Sequence, residues 1–147
     1  MELHPRNPAF EVRVRSSLAR QAFMTTLGAR LVSVVPGEVV LELPFHTRLT
    51  QQNGFLHAGV LAALADNACG YAALSLMPAE AEVLSVEFKV NLMRPAAAPL
   101  FRADGRVVRA GRTLTVCTAE VAALDAGRET VVALMQATMM QVPAVSP

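Results

Sequence analysis

The sequence predicts an α+β fold: a long antiparallel β-sheet wrapped around one central buried helix, with a short N-terminal helix ahead of both. Three observations carry this. Period-two segments follow one another through brief turn signals, the pattern of antiparallel neighbours rather than of parallel crossover units. One Ala- and Leu-rich stretch, residues 60–77, is apolar on all sides, and between Leu49 and Ala79 the sole charged residue is Asp66. The lengths also match. A helix of roughly 20 residues at ~1.5 Å rise and a strand of about ten at ~3.3 Å both measure about 30 Å.

In chain order, Asn7 and Pro8 suit an N-cap and first helical position, and Phe10, Val14, Leu18 and Ala22 recur every four residues. They predict an amphipathic helix to about Thr25. Residues 29–35 and 38–43 read as strands on either side of Pro36-Gly37, which suits the centre of a type II turn. Pro78 stops the apolar helix. Leu84, Val86, Phe88, Val90 and Leu92 alternate with Ser85, Glu87, Lys89 and Asn91, which predicts a half-buried strand that Arg94-Pro95 ends. Strands at 100–108, 113–124 and 129–141 follow, separated by Ala110-Gly111 and Asp125-Ala126-Gly127, and the whole sheet is expected to be a meander. The first seven residues and 142–147 read as frayed ends. One domain therefore fills residues 1–147, with an ordered core of about 8–141.

Composition narrows the function. The 147 residues are 53% hydrophobic and 17% charged, and 13 Lys+Arg against 12 Asp+Glu leave a net charge of +1. That balance offers no basic stripe for nucleic acid or an acidic membrane surface. Asp66, with His57 and Asn67, is too costly in lipid for residues 60–77 to span a membrane. Cys69 and Cys117 make neither a metal spacing nor a disulfide framework, and the N-terminus lacks the layout of a signal peptide. A cytoplasmic protein is expected.

Around the apolar helix, Gly59, Ala62, Ala63, Asp66, Gly70 and Ala73 share one narrow face, with Cys69 at its edge. Asp66 thus sits in a seam of very small side chains, where a ligand or another backbone can approach. Two readings follow: a structural acid paired with an arginine of the sheet, or a carboxylate kept for chemistry. The loop of residues 50–59 favours the second. It ends at the positive pole of the helix, where unpaired N–H groups can hold an anion or a developing oxyanion, unless His57 or Asn53 merely caps the terminus. A base and a donor on one helix suit acyl transfer, or proton abstraction beside a carbonyl. His4 and His46 have no partners at ligand spacing, and His57 lies out of phase with Asp66, so no metal site is read. Phe55, Leu56, Tyr71 and Phe88 are candidates both for the lining of an acyl pocket and for the core.

The stretch Asn53-Gly54-Phe55-Leu56-His57-Ala58-Gly59, running on to Asp66, resembles the signature of the PaaI-like acyl-CoA thioesterases of the hotdog fold. Residues 85–96, with their Arg94-Pro95-Ala96 exit, and the Gly111-Arg112-Thr113-Leu114 hairpin are similar to later segments of the family. The resemblance implies a hydrolase of CoA thioesters that works as a homodimer or a dimer of dimers, with sites across the interface. It needs no metal and no resident cofactor, since CoA arrives as part of the substrate. It implies that Asp66 of one subunit is nucleophile or general base, and that the Ala58 N–H of the other polarises the thioester carbonyl. Gln51 and Ser85 fall near the attacking water, and Asn53, His57 and Gly59 belong to the substrate-lining motif. Arg94, Arg109 and Arg112 fall in segments that contact the CoA nucleotide. Here His57-Ala58-Gly59 replaces the family's His-Gly-Gly, so the donor survives provided that φ at Ala58 is negative. Two alternatives stand beside this: a hotdog enoyl-thioester hydratase or dehydratase, and a non-catalytic acyl-CoA-binding module.

Overall fold

Two helices open the chain where one was expected. In the computed structural model, which describes residues 3–145, α1 (Phe10–Arg20) stops at an extended Gln21 and α2 (Ala22–Leu27) follows it, closed by Gly28 at φ 79°. Asn7 caps the turn before α1, its side-chain oxygen accepting the Ala9 N–H at 3.0 Å, so regular helix begins at Phe10. The strands are β1 (Arg30–Val35), β2 (Glu38–Pro44), β3 (Ala81–Leu92), β4 (Leu100–Ala110), β5 (Leu114–Asp125) and β6 (Arg128–Pro143). The central helix is α3 (Ala58–Leu74). Gly37, at φ 79°, supplies the positive angle that the β1–β2 turn requires.

The sheet is antiparallel throughout, in the order β1-β2-β4-β5-β6-β3. It is not the expected meander. After β2 the chain crosses the concave face as α3, and β3 therefore emerges at the far edge, paired with β6 alone. Local patterning does not encode that order, which follows from where the helix delivers the chain. The end segments also differ from expectation. Val142 still pairs with Glu82 in the β3–β6 ladder, and Arg6 reaches the Leu76 carbonyl and the Gln141 side chain. Residues 1–2 and 146–147 of the predicted frayed ends lie outside the described residues.

Leu61, Leu64, Ala65, Ala68 and Ala72 of α3 are buried against Leu41, Leu43, Phe101, Val121, Ala133 and Met139 of the sheet. The helix lies so close that a Cβ on Gly105, midway along β4, would land on the carbonyl group of Ala68. Gly105→Ala is therefore expected to destabilise the fold by about 2–3 kcal/mol, read as a lower urea midpoint at unchanged slope. Among the described residues no helix is long and apolar enough to cross a membrane.

A bulge in β3 decides what faces the helix. Ser85 pairs with Met139, whereas Glu87 pairs with Thr138, leaving Val86 as an extra residue. Before the bulge Ser85 lies over buried Met139. After it Phe88, Val90 and Leu92 pair with the buried Ala137, Met135 and Ala133. The unbroken alternation read from sequence thus changes phase at Val86: Ser85 shares the inner face, and Leu84 is turned outward and 59% exposed.

Candidate active site

Asp66 lies midway along α3, on the stripe Ala62, Ala63, Asp66, Asn67 and Gly70 that stays half-buried while the rest of the helix is packed on the sheet. Ala73 and Cys69, counted with that stripe from sequence, are buried. The bulge brings Ser85 over the carboxylate, and its hydroxyl donates to Asp66 Oδ1 at 2.7 Å. Among the described residues no Lys, Arg or His pairs with Asp66. The structural ion pair is thereby removed as an account of this acid. A cavity of about 290 Å³ opens beside it, lined by Ser17, Gln21, Asn67, Tyr71, Glu82 and Ser85 among others.

Neighbouring Cys69 does not compete as a nucleophile. Burial, then Cys117, then Asp66 push its thiol well above the ordinary range, and burial pushes Cys117 up to about 12. Both are free thiols. Among the described residues no group of three or more His, Cys, Asp or Glu is placed to hold a metal.

The loop before α3 holds a second set of residues. His57 is the N-cap, its Nδ1 accepting the Gly59 N–H at 2.8 Å. The Ala58 N–H, exposed at the positive pole of the helix, has no acceptor among the described residues. Positive φ outside glycine occurs only at Ala126 among the described residues, so Ala58 meets the condition for presenting its donor. Gln51 is committed to the loop: its side-chain oxygen accepts from the Asn53 and Phe55 N–H groups, around a Gly54 at φ 85°.

One chain keeps these two sets apart. Asp66 lies eight residues along the helix from Ala58, a rise of ~12 Å, too far for both to act on one carbonyl. The arginines are divided as well. Arg94 follows β3 and donates to the Val131 carbonyl at 2.7 Å, near the loop, where Leu56 bonds the Ala96 carbonyl. Arg109 and Arg112 lie at the β4–β5 turn, at the opposite end of the sheet.

Of the expected pocket residues, Tyr71 lines the cavity and Phe55, Leu56 and Phe88 do not. Sequence reasoning missed Ser17, Gln21, Asn67 and Glu82. Only the half-polar face of α1 hinted at the first two, and nothing local placed that face over α3.

Residues 53–130, more than half of the chain, match the family model of the thioesterase superfamily, and the chain belongs to that superfamily. It is a thioester hydrolase with a hotdog fold. A thioesterase family protein from Silicibacter pomeroyi is 50% identical, with a TM-score of 0.90 over 92% of this chain and 99% of that one. An esterase-named protein from Halobacterium salinarum is 33% identical over 74% of each chain. The 1,4-dihydroxy-2-naphthoyl-CoA hydrolase of Listeria monocytogenes is 29% identical over 62% of this chain and 74% of its own. The PaaI protein of E. coli shares the fold, with a TM-score of 0.82 at 20% identity, over 93% of this chain and 96% of that one.

Proposed function

We propose that this protein hydrolyses acyl-CoA thioesters at sites shared between two copies of the chain. The observation that carries the proposal is the division just described: a carboxylate with its hydroxyl partner beside a cavity, and a bare helix N-terminal N–H ~12 Å away on the same helix. A second copy brings such groups together. The unpaired edge of β3 supports one way of doing so. It is a long edge strand with Leu84, Val86, Phe88 and Leu92 all 45–59% exposed, a surface that a single chain leaves open to aggregation. Antiparallel pairing of this edge with its copy about a two-fold axis closes it. That pairing sets the Ala58 and Arg94 end of one chain beside the Asp66, Ser85, Arg109 and Arg112 end of the other.

In the proposed reaction the thioester carbonyl oxygen accepts from the Ala58 N–H of one chain. Ser85 engages Asp66 Oδ1 and leaves Oδ2 to take a proton from the attacking water, or to attack the carbonyl carbon itself. The tetrahedral oxyanion collapses and the carbon–sulfur bond breaks. On the water route the free acid forms at once and the thiolate leaves as CoA with the proton that Asp66 took up; on the direct route an acyl-aspartyl anhydride forms, and a water then hydrolyses it, releasing the acid and giving its proton to the thiolate. Gln51, Asn53, His57 and Gly59 shape the loop that presents the donor. The arginines at the joint are suited to the phosphates of CoA, which enters with the substrate and is no resident cofactor. A reducing cytoplasm, where Cys69 and Cys117 stay free, goes with this reading.

Thiol release from aryl, short-chain and long-chain acyl-CoA esters tests it. Turnover of at least one class is the expected result. Tight CoA-ester binding without release across all three, or hydration of an enoyl-CoA in place of release, overturns it.

A further inference from the structure

Resting on the thioesterase reading of Asp66, we infer that Asn67 is a second catalytic residue, whose side-chain oxygen holds the attacking water beside the carboxylate. Asn67 follows Asp66 on the half-buried stripe of α3 and lines the same cavity, together with Ser85. Its amide has one orientation. Nδ2 donates to the Ala63 carbonyl, one turn earlier, at 2.9 Å, and a carbonyl oxygen only accepts, so the nitrogen is the end turned to the helix. The oxygen is the other end, and it accepts nothing among the described residues. In a helix otherwise rich in Ala and Leu, a side chain that bonds its own backbone in this way favours the fold less than alanine does.

A water that attacks a carbonyl is aimed when each of its hydrogens has an acceptor. Asp66 Oδ2 takes one, since Ser85 engages Oδ1. The other polar groups are committed elsewhere. Gln51, expected beside the water, spends its oxygen on the Asn53 and Phe55 N–H groups and keeps only a donor. Along the cavity, Glu82 is paired with Arg13 at 3.5 Å, and the Tyr71 hydroxyl is bonded by Gln21 and Ser17. Asn67 offers a free acceptor next to the base. Neighbouring helical side chains splay by ~100° and do not meet, whereas a water bonded to both spans roughly 5 Å between its acceptors. This arrangement belongs to the water route, with Asp66 as general base. One hydrogen passes to Asp66 as the carbon–oxygen bond forms, and on to the sulfur as the carbon–sulfur bond breaks. The hydrogen held by Asn67 stays on the new oxygen until the acid ionises.

The test uses the acyl-CoA ester that the wild-type chain releases fastest. Thiol and acid are expected to appear together in the first turnover. Asn67→Ala is expected to lower kcat about 30-fold, with KM within about twofold and the thermal midpoint level or higher. Hydroxylamine is a stronger nucleophile that needs no such seat. With it added, hydroxamate should form on Asn67→Ala as fast as on wild type, so its ratio to acid rises about 30-fold. Asn67→Asp, at about pH 8, keeps an accepting oxygen and loses the donor to Ala63. It is expected to exceed Asn67→Ala in kcat by about fivefold or more. Thiol released ahead of acid, kcat of Asn67→Ala within about threefold of wild type, an unchanged hydroxamate ratio, or no gain in Asn67→Asp overturns the inference and leaves the hydrolase reading standing. Release from no ester by the wild-type chain overturns both.

Discussion

Replacing Asp66 with asparagine is expected to lower kcat on the best acyl-CoA ester by about 10³-fold while the fold persists. Asparagine keeps the size of the side chain and can still accept from Ser85. Only the negative charge and the proton-accepting oxygen are lost. No cation offsets that charge among the described residues, so its removal costs the fold nothing in lost ion pairs. The thermal midpoint should stay level or rise. Single-turnover thiol release and a melting curve on the same preparation separate the two effects. Retention of a tenth or more of wild-type kcat would remove Asp66 from the chemistry, whatever the state of the fold.

The second large effect is expected at Ala58→Pro. Proline has no N–H, and its ring suits this position. Ala58 is the first residue of α3, its N–H bonds nothing among the described residues, and His57 before it is already extended at φ −61° and ψ 138°. Loss of the donor is expected to lower kcat by about 10²–10³-fold with little change in stability. Mixing decides whether the site is shared. After unfolding and refolding together, equal amounts of the Asp66→Ala and Ala58→Pro chains should recover about a quarter of wild-type activity, because half of the randomly formed dimers carry one intact site of two. A site contained in one chain recovers nothing, and that result would end the two-chain proposal.

The elements that local chemistry governs were legible in the sequence. The apolar helix announced itself by its all-round hydrophobicity, although it begins at Ala58 and ends at Leu74 rather than running over 60–77 to Pro78, and the hairpins by Pro36-Gly37 and Asp125-Ala126-Gly127. Asp66 stood out because a lone charge in such a helix is expensive. What escaped depends on contacts distant in the chain. Strand order is set by where α3 deposits β3. The bulge at Val86 escaped because a period-two reading assumes one uniform phase, and here the phase change is what turns Ser85 toward Asp66. The break at Gln21 interrupts a helical pattern that continues smoothly through it, and the hydrogen-bond partner of its side chain, Tyr71, lies 50 residues away.

The same break has an evolutionary meaning. Ser17 and Gln21, which line the cavity beside Asp66, belong to an arm with no strand in the ladder, and they lie before residues 53–130 that carry the superfamily match. On the proposed thioesterase reading, with the acyl group seated in that cavity, drift in the arm retunes substrate preference without touching Asp66, Ser85 or Ala58. New acyl preferences are expected to be acquired there first.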